Sequence, residues 1–453
     1  MLNRYRVIHF VGIGGIGMSG IARVLKRLNY DVTGSDLKSS ATTDVLISEG
    51  IKVYIGHKAE NVDSAHVVVV TSAVNGANPE VEEAKRRSIP VIPRAEMLAE
   101  IGRLKYGILV AGSHGKTTTT SLLAGILIKA GSDPTVVLGG KLNDTNSNSR
   151  VGKGEFFVAE ADESDGSFLK LNPTVAICTN IDREHMDFYS NMENLKSAYV
   201  NFLNKVPFYG LGVVCADDPN IRDILPDVNR KYVTYGLTEA ADFSAHNIKY
   251  SFQKTEFEVI SAGISAGTFT INLSGKHNVL NTLAAIAAAS FLNIPHAVSS
   301  AALAAFSGIK RRMEFKGHKA GVRVFDDYGH HPTEIKATIS GIKHHVDKRL
   351  LIVFQPHRYS RTADLMDEFS GCFTEASRLY LLDIYPAGEK PIEGATSHTL
   401  AERLRARGVD VVYVGKGDGL SDTLRKEAAE GDTLVTFGAG DVWKVGEEFV
   451  GQG

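Results

Sequence analysis

The sequence has 453 residues, a formal net charge of -2, 43% hydrophobic residues and 23% charged residues. This length predicts about three globular domains, and the balanced charge gives no reason to expect a nucleic acid or an anionic membrane as a partner. No apolar stretch is long enough to span a bilayer, and three unclustered cysteines fit buried thiols in a reduced cytoplasm better than disulfides or a zinc site.

The first predicted strand, residues 7–11, leads into a glycine-rich turn and then a helix through Leu28. Glycines let the backbone approach a diphosphate, and a helix N-terminus favours an anion. Asp36 follows the next predicted strand, 31–34, where dinucleotide-binding folds place the acid that binds ribose. The pattern indicates a nucleotide diphosphate and is only weakly specific for NAD, so an NAD-dependent oxidoreductase is one alternative. The residues of this turn expected to bind the diphosphate are Gly12, Gly14, Gly15, Ile16 and Gly17.

Two further predicted strands, 67–70 and 90–92, complete a doubly wound first domain over residues 1–105. A second phosphate-binding turn then lies between a predicted strand, 106–110, and a predicted helix, 118–130. Lys116 can reach the outer phosphates of a nucleotide triphosphate, and the Thr117 hydroxyl can ligate Mg²⁺. The strict phosphate-loop pattern has a glycine four residues before Gly115, and the residue at that position here is Ala111. The match is therefore to the shorter Gly-x-x-Gly-Lys-Thr form.

Acidic residues follow the next predicted strands. Strand 156–160 ends at Glu160, and an acid at a strand end beside a phosphate loop is where Mg²⁺ is usually held. Strand 174–180 is followed by His185, for which a structural role and a ligand role are equally supported. Because the carboxyl ends of parallel strands converge, Lys116, Glu160 and His185 can meet there.

The second domain is expected to run over residues 106–313, with a more antiparallel flank from about residue 205. His277, Asn278 and Asn281 lie at the start of an alanine-rich helix that reaches residue 291. Two readings stay open here: Asn278 can cap the helix, or the amides can read a nucleotide base.

A third domain, residues 314–453, alternates predicted strands with helices, which indicates another parallel sheet. Polar residues cluster after two strands, at 326–334 and 355–362. The paired histidines fit no structural zinc spacing, whereas Arg358 and Arg361 fit anions. Residues 438–441 repeat the strand-turn-helix design of the phosphate-binding turns, and a simple turn is the alternative interpretation. The strands are predicted at 322–325, 350–354, 379–382, 410–414 and 433–437.

Two phosphate-binding turns and a third sheet with cationic loops suggest that ATP activates a phosphorylated substrate. Joining a carboxylate to an amine through an acyl phosphate would use all three domains. At Gly-Ser-His-Gly-Lys-Thr-Thr-Thr, Glu-Ala-Asp-Glu-Ser-Asp, His-Asn-Val-Leu-Asn and Asp-Asp-Tyr-Gly-His-His-Pro-Thr-Glu, the sequence resembles the Mur ligase family of peptidoglycan synthesis over essentially its whole length.

The resemblance implies three α/β domains: an N-terminal Rossmann-like domain for a UDP-substrate, a central P-loop ATPase-type domain and a C-terminal Rossmann-like domain for the amino acid. The implied reaction joins L-alanine to the lactyl carboxylate of UDP-N-acetylmuramate, with ATP and Mg²⁺ or Mn²⁺. A ligase that adds a whole tripeptide to the same UDP-sugar is a second alternative. The resemblance further implies small-molecule substrates, a cytoplasmic location, and a monomer or weak homodimer.

The resemblance also implies residue roles. The catalytic group is Lys116, Glu160, His185 and Asp327, and the metal ligands are Thr117, Glu160 and His185. The ATP site comprises Gly112, Ser113, His114, Gly115, Lys116, Thr117, Thr118, His277, Asn278, Asn281, Arg312 and Asp327. The UDP site comprises the first glycine turn with Asp36, His57 and Ser72, and the amino-acid and muramoyl site comprises Tyr328, His330, Arg358 and Arg361.

The sequence departs from related ligases at one position. Several of them place a carbamylated lysine about fifteen residues after the equivalent of His185, and here that count reaches Val200. Lys196 lies a helical turn away and is not assigned the role, so a second metal must be held by other residues.

Overall fold

A computed structural model describes residues 5–71, 74, 77–103, 105–139, 148–251 and 253–451. The chain divides into two compact units. The first comprises Met1–Ile248, Phe257–Thr270 and Val279–Phe306, and the second comprises Lys249–Glu256, Ile271–Asn278 and Ser307–Gly453. Within the described part of the chain, no helix is both long and apolar enough to cross a membrane.

The N-terminal sheet is parallel, with the strand order β3-β2-β1-β4-β5 of a Rossmann-type fold. The order reverses between β1 and β4, so the turn after β1 lies at the switch point where such sheets bind ligands. The elements are β1 (Val7–Val11), α1 (Ile16–Arg27), β2 (Asp31–Asp36), α2 (Ala41–Ser48), β3 (Lys52–Ile55), β4 (Val67–Val70), α3 (Pro79–Arg86), β5 (Val91–Pro93) and α4 (Arg94–Gly102).

The central sheet has ten strands in the order β15-β14-β13-β12-β11-β10-β6-β9-β7-β8. Strand β6 lies between β10 and β9 and is parallel to both, so the turn after β6 is flanked by the carboxyl ends of two neighbours. The strands are β6 (Tyr106–Ala111), β7 (Thr135–Val137), β8 (Ser149–Arg150), β9 (Phe156–Glu160), β10 (Val175–Cys178), β11 (Leu211–Cys215), β12 (Tyr232–Gly236), β13 (Phe243–Ser251), β14 (Lys254–Ser261) and β15 (Ile264–Ile271). The helices are α5 (Lys116–Lys129), α6 (Met186–Tyr189), α7 (Met192–Leu203), α8 (Pro219–Ile224), α9 (Lys276–Phe291) and α10 (His296–Ala304).

The C-terminal sheet has the order β16-β17-β21-β18-β19-β20, and only its edge strand β16 pairs in the antiparallel direction. The strands are β16 (Glu314–Lys319), β17 (Val322–Asp327), β18 (Leu350–Phe354), β19 (Arg378–Leu382), β20 (Val411–Gly415) and β21 (Thr433–Phe437). The helices are α11 (Pro332–Ile342), α12 (Tyr359–Asp364), α13 (Met366–Ser370), α14 (Ser397–Ala406), α15 (Leu420–Glu427) and α16 (Trp443–Val450).

Burial explains why these segments form parallel sheets. All five residues of β18 and of β21 are buried, as expected for strands covered by helices on both faces. Separate apolar clusters lie on the two faces of the C-terminal sheet, one around Phe354 and one around Val353. The polar segments that follow β17, β18 and β21 therefore emerge side by side at one edge. The three α/β sheets confirm the predicted fold class.

Candidate active site

The phosphate loop after β6 needs two glycines. Gly112 and Gly115 have φ of 134° and 82°, in the region that favours glycine. A Cβ atom would lie 2.0 Å from the Thr179 hydroxyl at Gly112 and 2.4 Å from Asn281 Oδ1 at Gly115. Ala111 pairs with Cys178 as the last residue of β6, so the position at which the strict pattern has glycine is ordinary strand here.

The residues after β10 fix the phosphate loop. The Thr179 hydroxyl donates to the His114 carbonyl at 2.6 Å, and the His114 amide donates to Asn180 Oδ1 at 2.8 Å. His114 Nε2 lies 2.9 Å from Asp182 Oδ2, and the Asp182 amide donates to the Ser113 hydroxyl at 2.9 Å. The loop is thus held in shape from its β10 side, by residues that sequence reasoning did not assign to the site.

Lys116 is bound by an internal anion. Its Nζ donates to the Gly112 carbonyl at 2.6 Å and lies 2.8 and 2.9 Å from the two carboxylate oxygens of Glu163. Burial lowers the pKa of Lys116, but the charges of Glu163 and Asp162 outweigh it and raise the pKa overall, so the lysine stays charged. Burial raises the pKa of Glu163 to about 7, against the opposing charge of Lys116.

Thr117 and Glu160 lie together, as the sequence predicts. The Thr117 hydroxyl donates to Glu160 Oε2 at 3.0 Å, and the Gly139 amide donates to Oε1 at 2.5 Å. A hydroxyl and a carboxylate beside a phosphate loop are hard oxygen donors, which fit Mg²⁺. The buried Thr118 follows in the first turn of α5.

His185 lies beside Glu163 and Glu184. It has a left-handed backbone, φ 57°, just before α6. One ligand atom from each of Glu163, Glu184 and His185 lies within 4.8 Å of the others, which is close enough to hold a divalent cation. Lys196 instead forms an ion pair with Asp223 at 3.0 Å. The structure thus brings His185 to Glu163 and Glu184, two acids that the prediction omitted.

The first glycine turn is held from β2. The amides of Gly12 and Ile13 both donate to the Ser35 carbonyl at 2.9 Å, and the Gly14 amide donates to Asp36 Oδ2 at 2.8 Å. Helix α1 begins at Ile16, with Gly15 as its N-cap, so the helix N-terminus faces this turn. One Asp36 oxygen therefore shapes the loop. Ser72, predicted beside it, lies outside the described residues.

His57 contacts a buried acid. Its Nδ1 lies 2.9 Å from the Ser35 hydroxyl and 2.9 Å from Glu80 Oε2. The fully buried Glu80 also accepts from Ser35 at 2.6 Å and from Asn61 at 2.6 Å. Burial raises the pKa of Glu80, but the contact with His9, at 3.6 Å, and the hydrogen bonds from Ser35 and Asn61 outweigh it and lower the pKa to about 2. An ionised carboxylate thus orients the His57 ring.

The residues predicted to bind adenine lie at the start of α9. The helix begins at Lys276, so Asn278 is inside its first turn and the capping interpretation is wrong; its Nδ2 donates to the Ser274 carbonyl at 2.7 Å. Burial lowers the pKa of His277 to about 4, with the nearby charge of Arg312 adding to the effect. Asn281 Oδ1 accepts from the Thr119 hydroxyl at 3.3 Å.

Asp327 ends β17 in a buried position. Its oxygens accept from the Gly329 amide at 2.7 Å and the Met313 amide at 2.8 Å. Burial raises the pKa of Asp327 to about 6. Arg312 lies 3.4 Å from Glu334 through Nη1. Asp327 thus fixes the backbone at Met313, directly after Arg312, and at Gly329.

Arg311, which sequence reasoning missed, anchors the turn after β21. Its Nε lies 2.9 Å from Asp326 Oδ2, and its other nitrogens donate to the carbonyls of Gly438, at 2.5 Å, and Gly440, at 3.1 Å. The Thr436 hydroxyl also donates to Asp326, at 2.6 Å. Arg311 therefore holds residues 438–441 as a turn between β21 and α16.

The loops after β17 and β18 meet through aromatic rings. The His330 ring is 5.4 Å from that of Tyr328 and 5.9 Å from that of His357, which stacks on Tyr385 at 5.5 Å. Burial lowers the pKa of His357 to about 3, so the ring is neutral. Arg361 Nη1 donates to the His357 carbonyl at 3.3 Å. His357 thus joins residues that were predicted from two separate loops.

Arg358 has an unusual backbone. Its φ is 71° and its ψ 139°, in a region populated almost only by glycine. Its amide donates to the Tyr385 carbonyl at 2.9 Å, and its Nε lies 3.9 Å from Glu389. This conformation places Arg358 directly before α12, beside the aromatic contacts of the two loops.

The sequence matches three family models that together cover most of the chain. They are the Mur ligase family catalytic domain over residues 7–106, the Mur ligase middle domain over 110–289 and the Mur ligase glutamate ligase domain over 311–440. A UDP-N-acetylmuramate--L-alanine ligase from Geobacter sp. (strain M21) is 54% identical over 449 residues, covering 99% of this chain and 97% of the relative.

Two solved structures are also similar. A UDP-N-acetylmuramate-alanine ligase from Thermotoga maritima has a TM-score of 0.83 and 28% identity, with 98% of each chain covered. A murein peptide ligase from Psychrobacter arcticus 273-4 has a TM-score of 0.72 and 26% identity, again with 98% of each chain covered.

Proposed function

The chain belongs to the Mur ligase family, and we propose that it joins L-alanine to the lactyl carboxylate of UDP-N-acetylmuramate with ATP, in peptidoglycan synthesis. The observation that carries the proposal is the presence of two phosphate-binding turns, one after β1 and one after β6. At the second turn, Lys116 forms an ion pair with Glu163, and the Thr117 hydroxyl donates a hydrogen bond to Glu160. Hydride transfer has no use for either pair, which argues against an oxidoreductase.

The alternative of a tripeptide-adding ligase has less support. Identity of 54% over nearly the whole chain is to a relative named for L-alanine, and the solved alanine ligase has the higher of the two TM-scores reported above. The segment from Gln355 to Thr362, with Arg358 and Arg361, favours a small amino acid, which is consistent with these similarities.

The proposed chemistry has two steps. A lactyl carboxylate oxygen attacks the γ-phosphorus of ATP, the bond to the bridging oxygen breaks, and ADP leaves with an acyl phosphate formed. The neutral amine of L-alanine then attacks the acyl carbon, inorganic phosphate leaves, and the nitrogen loses a proton as the amide forms. The first step gives an inert carboxylate a good leaving group.

Each step uses groups of this chain. Lys116 stays charged and can neutralise charge on the phosphates when ATP displaces Glu163. The backbone amides of the loop and the N-terminus of α5 favour the same anion. Thr117 and Glu160 would hold Mg²⁺, and Glu163, Glu184 and His185 would hold a second cation. The metal would supply a positive charge on the phosphate oxygens.

The proposal includes the predicted domain limits. Residues 1–105 would bind the UDP-substrate, 106–313 would bind ATP, and 314–453 would bind the amino acid. We further propose that the enzyme acts in the cytoplasm, where ATP is available, as a monomer or weak homodimer. The described cysteines are free and buried, as a reducing compartment allows.

The direct test is phosphate release with all three substrates and Mg²⁺, repeated with each substrate left out in turn. We expect one phosphate per amide formed and none without the UDP-sugar or the amine. A parallel measurement compares thermal stability with NADH and with UDP-N-acetylmuramate. Stabilisation by NADH alone, without phosphate release, would refute the ligase assignment.

A further inference from the structure

Arg94 has no role in the site described above, yet it lies between the two phosphate-binding turns. It is the first residue of α4, directly after β5, and about a third of its side chain is exposed. Its Nη2 donates to Asp162 Oδ2 at 3.0 Å, although 68 residues separate the two in sequence. A single side chain from the N-terminal sheet thus reaches the segment that follows β9.

The guanidinium of Arg94 packs against the first glycine turn. A Cβ atom on Gly17 would lie 2.4 Å from Arg94 Nη1 and 3.3 Å from both Cδ and Cζ. Gly17 is in the first turn of α1, whose N-terminus is the anion-binding end of the helix. The absence of a side chain at Gly17 therefore leaves the space that the Arg94 cation fills beside this turn.

The other partner of Arg94 belongs to the surroundings of Lys116. Asp162 comes two residues after Glu160, the end of β9, which accepts a hydrogen bond from Thr117 of the ATP loop. The next residue, Glu163, binds Lys116 directly. The Arg94 guanidinium thus lies against the first glycine turn through Nη1 and binds Asp162, an acid beside the ATP loop, through Nη2.

We propose that Arg94 binds the diphosphate of the UDP-substrate. Arginine has five N–H donors in a planar fork, and only the bond from Nη2 to Asp162 is used here among the described residues. The remaining donors on Nη1 lie against Gly17, where the diphosphate is expected. This inference rests on the proposed function, because it assigns a ligand contact within the UDP site.

The competing explanation is a structural ion pair between Arg94 and Asp162. The two explanations differ for the Asp162→Asn variant, which breaks the ion pair and leaves Arg94 in place. If Arg94 binds the diphosphate, this variant should bind UDP at least as tightly as the wild type, because a competing carboxylate is gone. If the pair is only structural, Asp162→Asn and Arg94→Ala should weaken binding equally.

The experiment measures the affinity of UDP and of UDP-N-acetylmuramate by calorimetry, without ATP, for the full-length wild type, Arg94→Ala, Arg94→Lys and Asp162→Asn. We expect Arg94→Ala to weaken both ligands by roughly 10- to 100-fold, the effect of losing a hydrogen bond to a charged group. Arg94→Lys should recover part of that loss, because it retains the charge without the planar fork. ATP affinity, measured on Arg94→Ala and Arg94→Lys, should change little.

Three results would overturn the inference. The first is unchanged UDP affinity in Arg94→Ala, and the second is equal losses in Arg94→Ala and Asp162→Asn. The third is a loss confined to UDP-N-acetylmuramate, which would place Arg94 on the sugar side of the substrate. If Arg94→Ala does not fold, the UDP affinity of Arg94→Lys can be compared with that of Asp162→Asn to distinguish the same two explanations. Failure of the wild type to bind either UDP ligand would instead refute the proposed function.

Discussion

Glu163 holds the Nζ of Lys116 with both carboxylate oxygens, at 2.8 and 2.9 Å. The phosphate-binding lysine therefore already has an anionic partner, in a buried setting. The oxygens of an incoming triphosphate must replace this carboxylate. The binding free energy of ATP therefore includes the difference between the free energy of the Lys116–phosphate pair and that of the Lys116–Glu163 pair.

The first prediction concerns Lys116→Met, which keeps the volume of the side chain and removes its charge. We expect kcat to fall by at least about 100-fold, because a charge-assisted phosphate contact in a water-poor site is lost. The fold should persist, since burial already raises the pKa of Glu163 to about 7 and the carboxyl can take up a proton. Steady-state phosphate release and circular dichroism check both points.

A matched control for this variant is the double variant Lys116→Met with Glu163→Gln. Removing the unpaired carboxylate should make the double variant more stable to heat than Lys116→Met alone. Turnover near that of the wild type in Lys116→Met would contradict the role given to Lys116.

The second prediction concerns Glu160→Gln. The substitution keeps an oxygen beside the Thr117 hydroxyl but removes the charge that would hold Mg²⁺. We expect the Mg²⁺ concentration for half-maximal activity to rise roughly 10-fold or more. Titration of activity with Mg²⁺ at saturating ATP measures it. Glu155→Gln, at an exposed position just before the same strand, is the control and should leave the titration unchanged.

The third prediction uses the buried acid Glu80. Its pKa is lowered from 4.5 to about 2, so its ionised form stabilises the fold at neutral pH, and this contribution is lost as the pH falls from about 5 towards 2. The shift corresponds to a contribution on the order of 3 kcal/mol. Glu80→Gln should therefore be less stable than the wild type at pH 7, and the difference should shrink with acidification.

Urea unfolding of both proteins at several pH values between 7 and 3 tests this prediction. Glu82→Gln, exposed on the same helix, should follow the wild type throughout. A stability difference between Glu80→Gln and the wild type that does not change with pH would show that the pKa of Glu80 is not lowered in the folded protein.

The fourth prediction concerns the amine. We expect L-alanine to be used best, L-serine and glycine less well, and a tripeptide hardly at all. A pocket that fits alanine rejects a longer chain sterically, whereas a single methyl or hydroxyl group is worth only ~1–3 kcal/mol. Values of kcat/KM for the four amines at saturating ATP and UDP-N-acetylmuramate give the order directly. A tripeptide used as efficiently as alanine would favour the recycling ligase.

Regular elements with strong apolar patterns were predictable from the sequence. Strands 7–11, 156–160 and 433–437 have the predicted limits, because buried parallel strands are short apolar runs bounded by turns. Strand β3, Lys52–Ile55, was missed because its residues are only half-buried or exposed. Strand β16 was missed because its antiparallel edge pairing lets it carry polar residues such as Glu314 and His318.

The candidate site was predictable where chemistry follows directly after a strand, as for Lys116 and Glu160. Glu163 was missed because it lies among several acids in one short segment, and only the fold shows which of them faces Lys116. Arg94 was missed because its partner, Asp162, is 68 residues away in sequence. Contacts of this kind depend on how the sheets pack, which local patterns do not report.

The backbone of Arg358 has a consequence for how far this protein can be stabilised. A non-glycine residue at φ 71° and ψ 139° raises the free energy of the folded chain by on the order of 1–3 kcal/mol, and glycine would relieve most of it. Glycine, however, would remove the guanidinium that lies 3.9 Å from Glu389. Substitutions selected only for heat resistance should therefore collect at this position, and, given the proposed role of Arg358 in binding substrate, they should lower turnover, so that thermostability and turnover are opposed at a single residue.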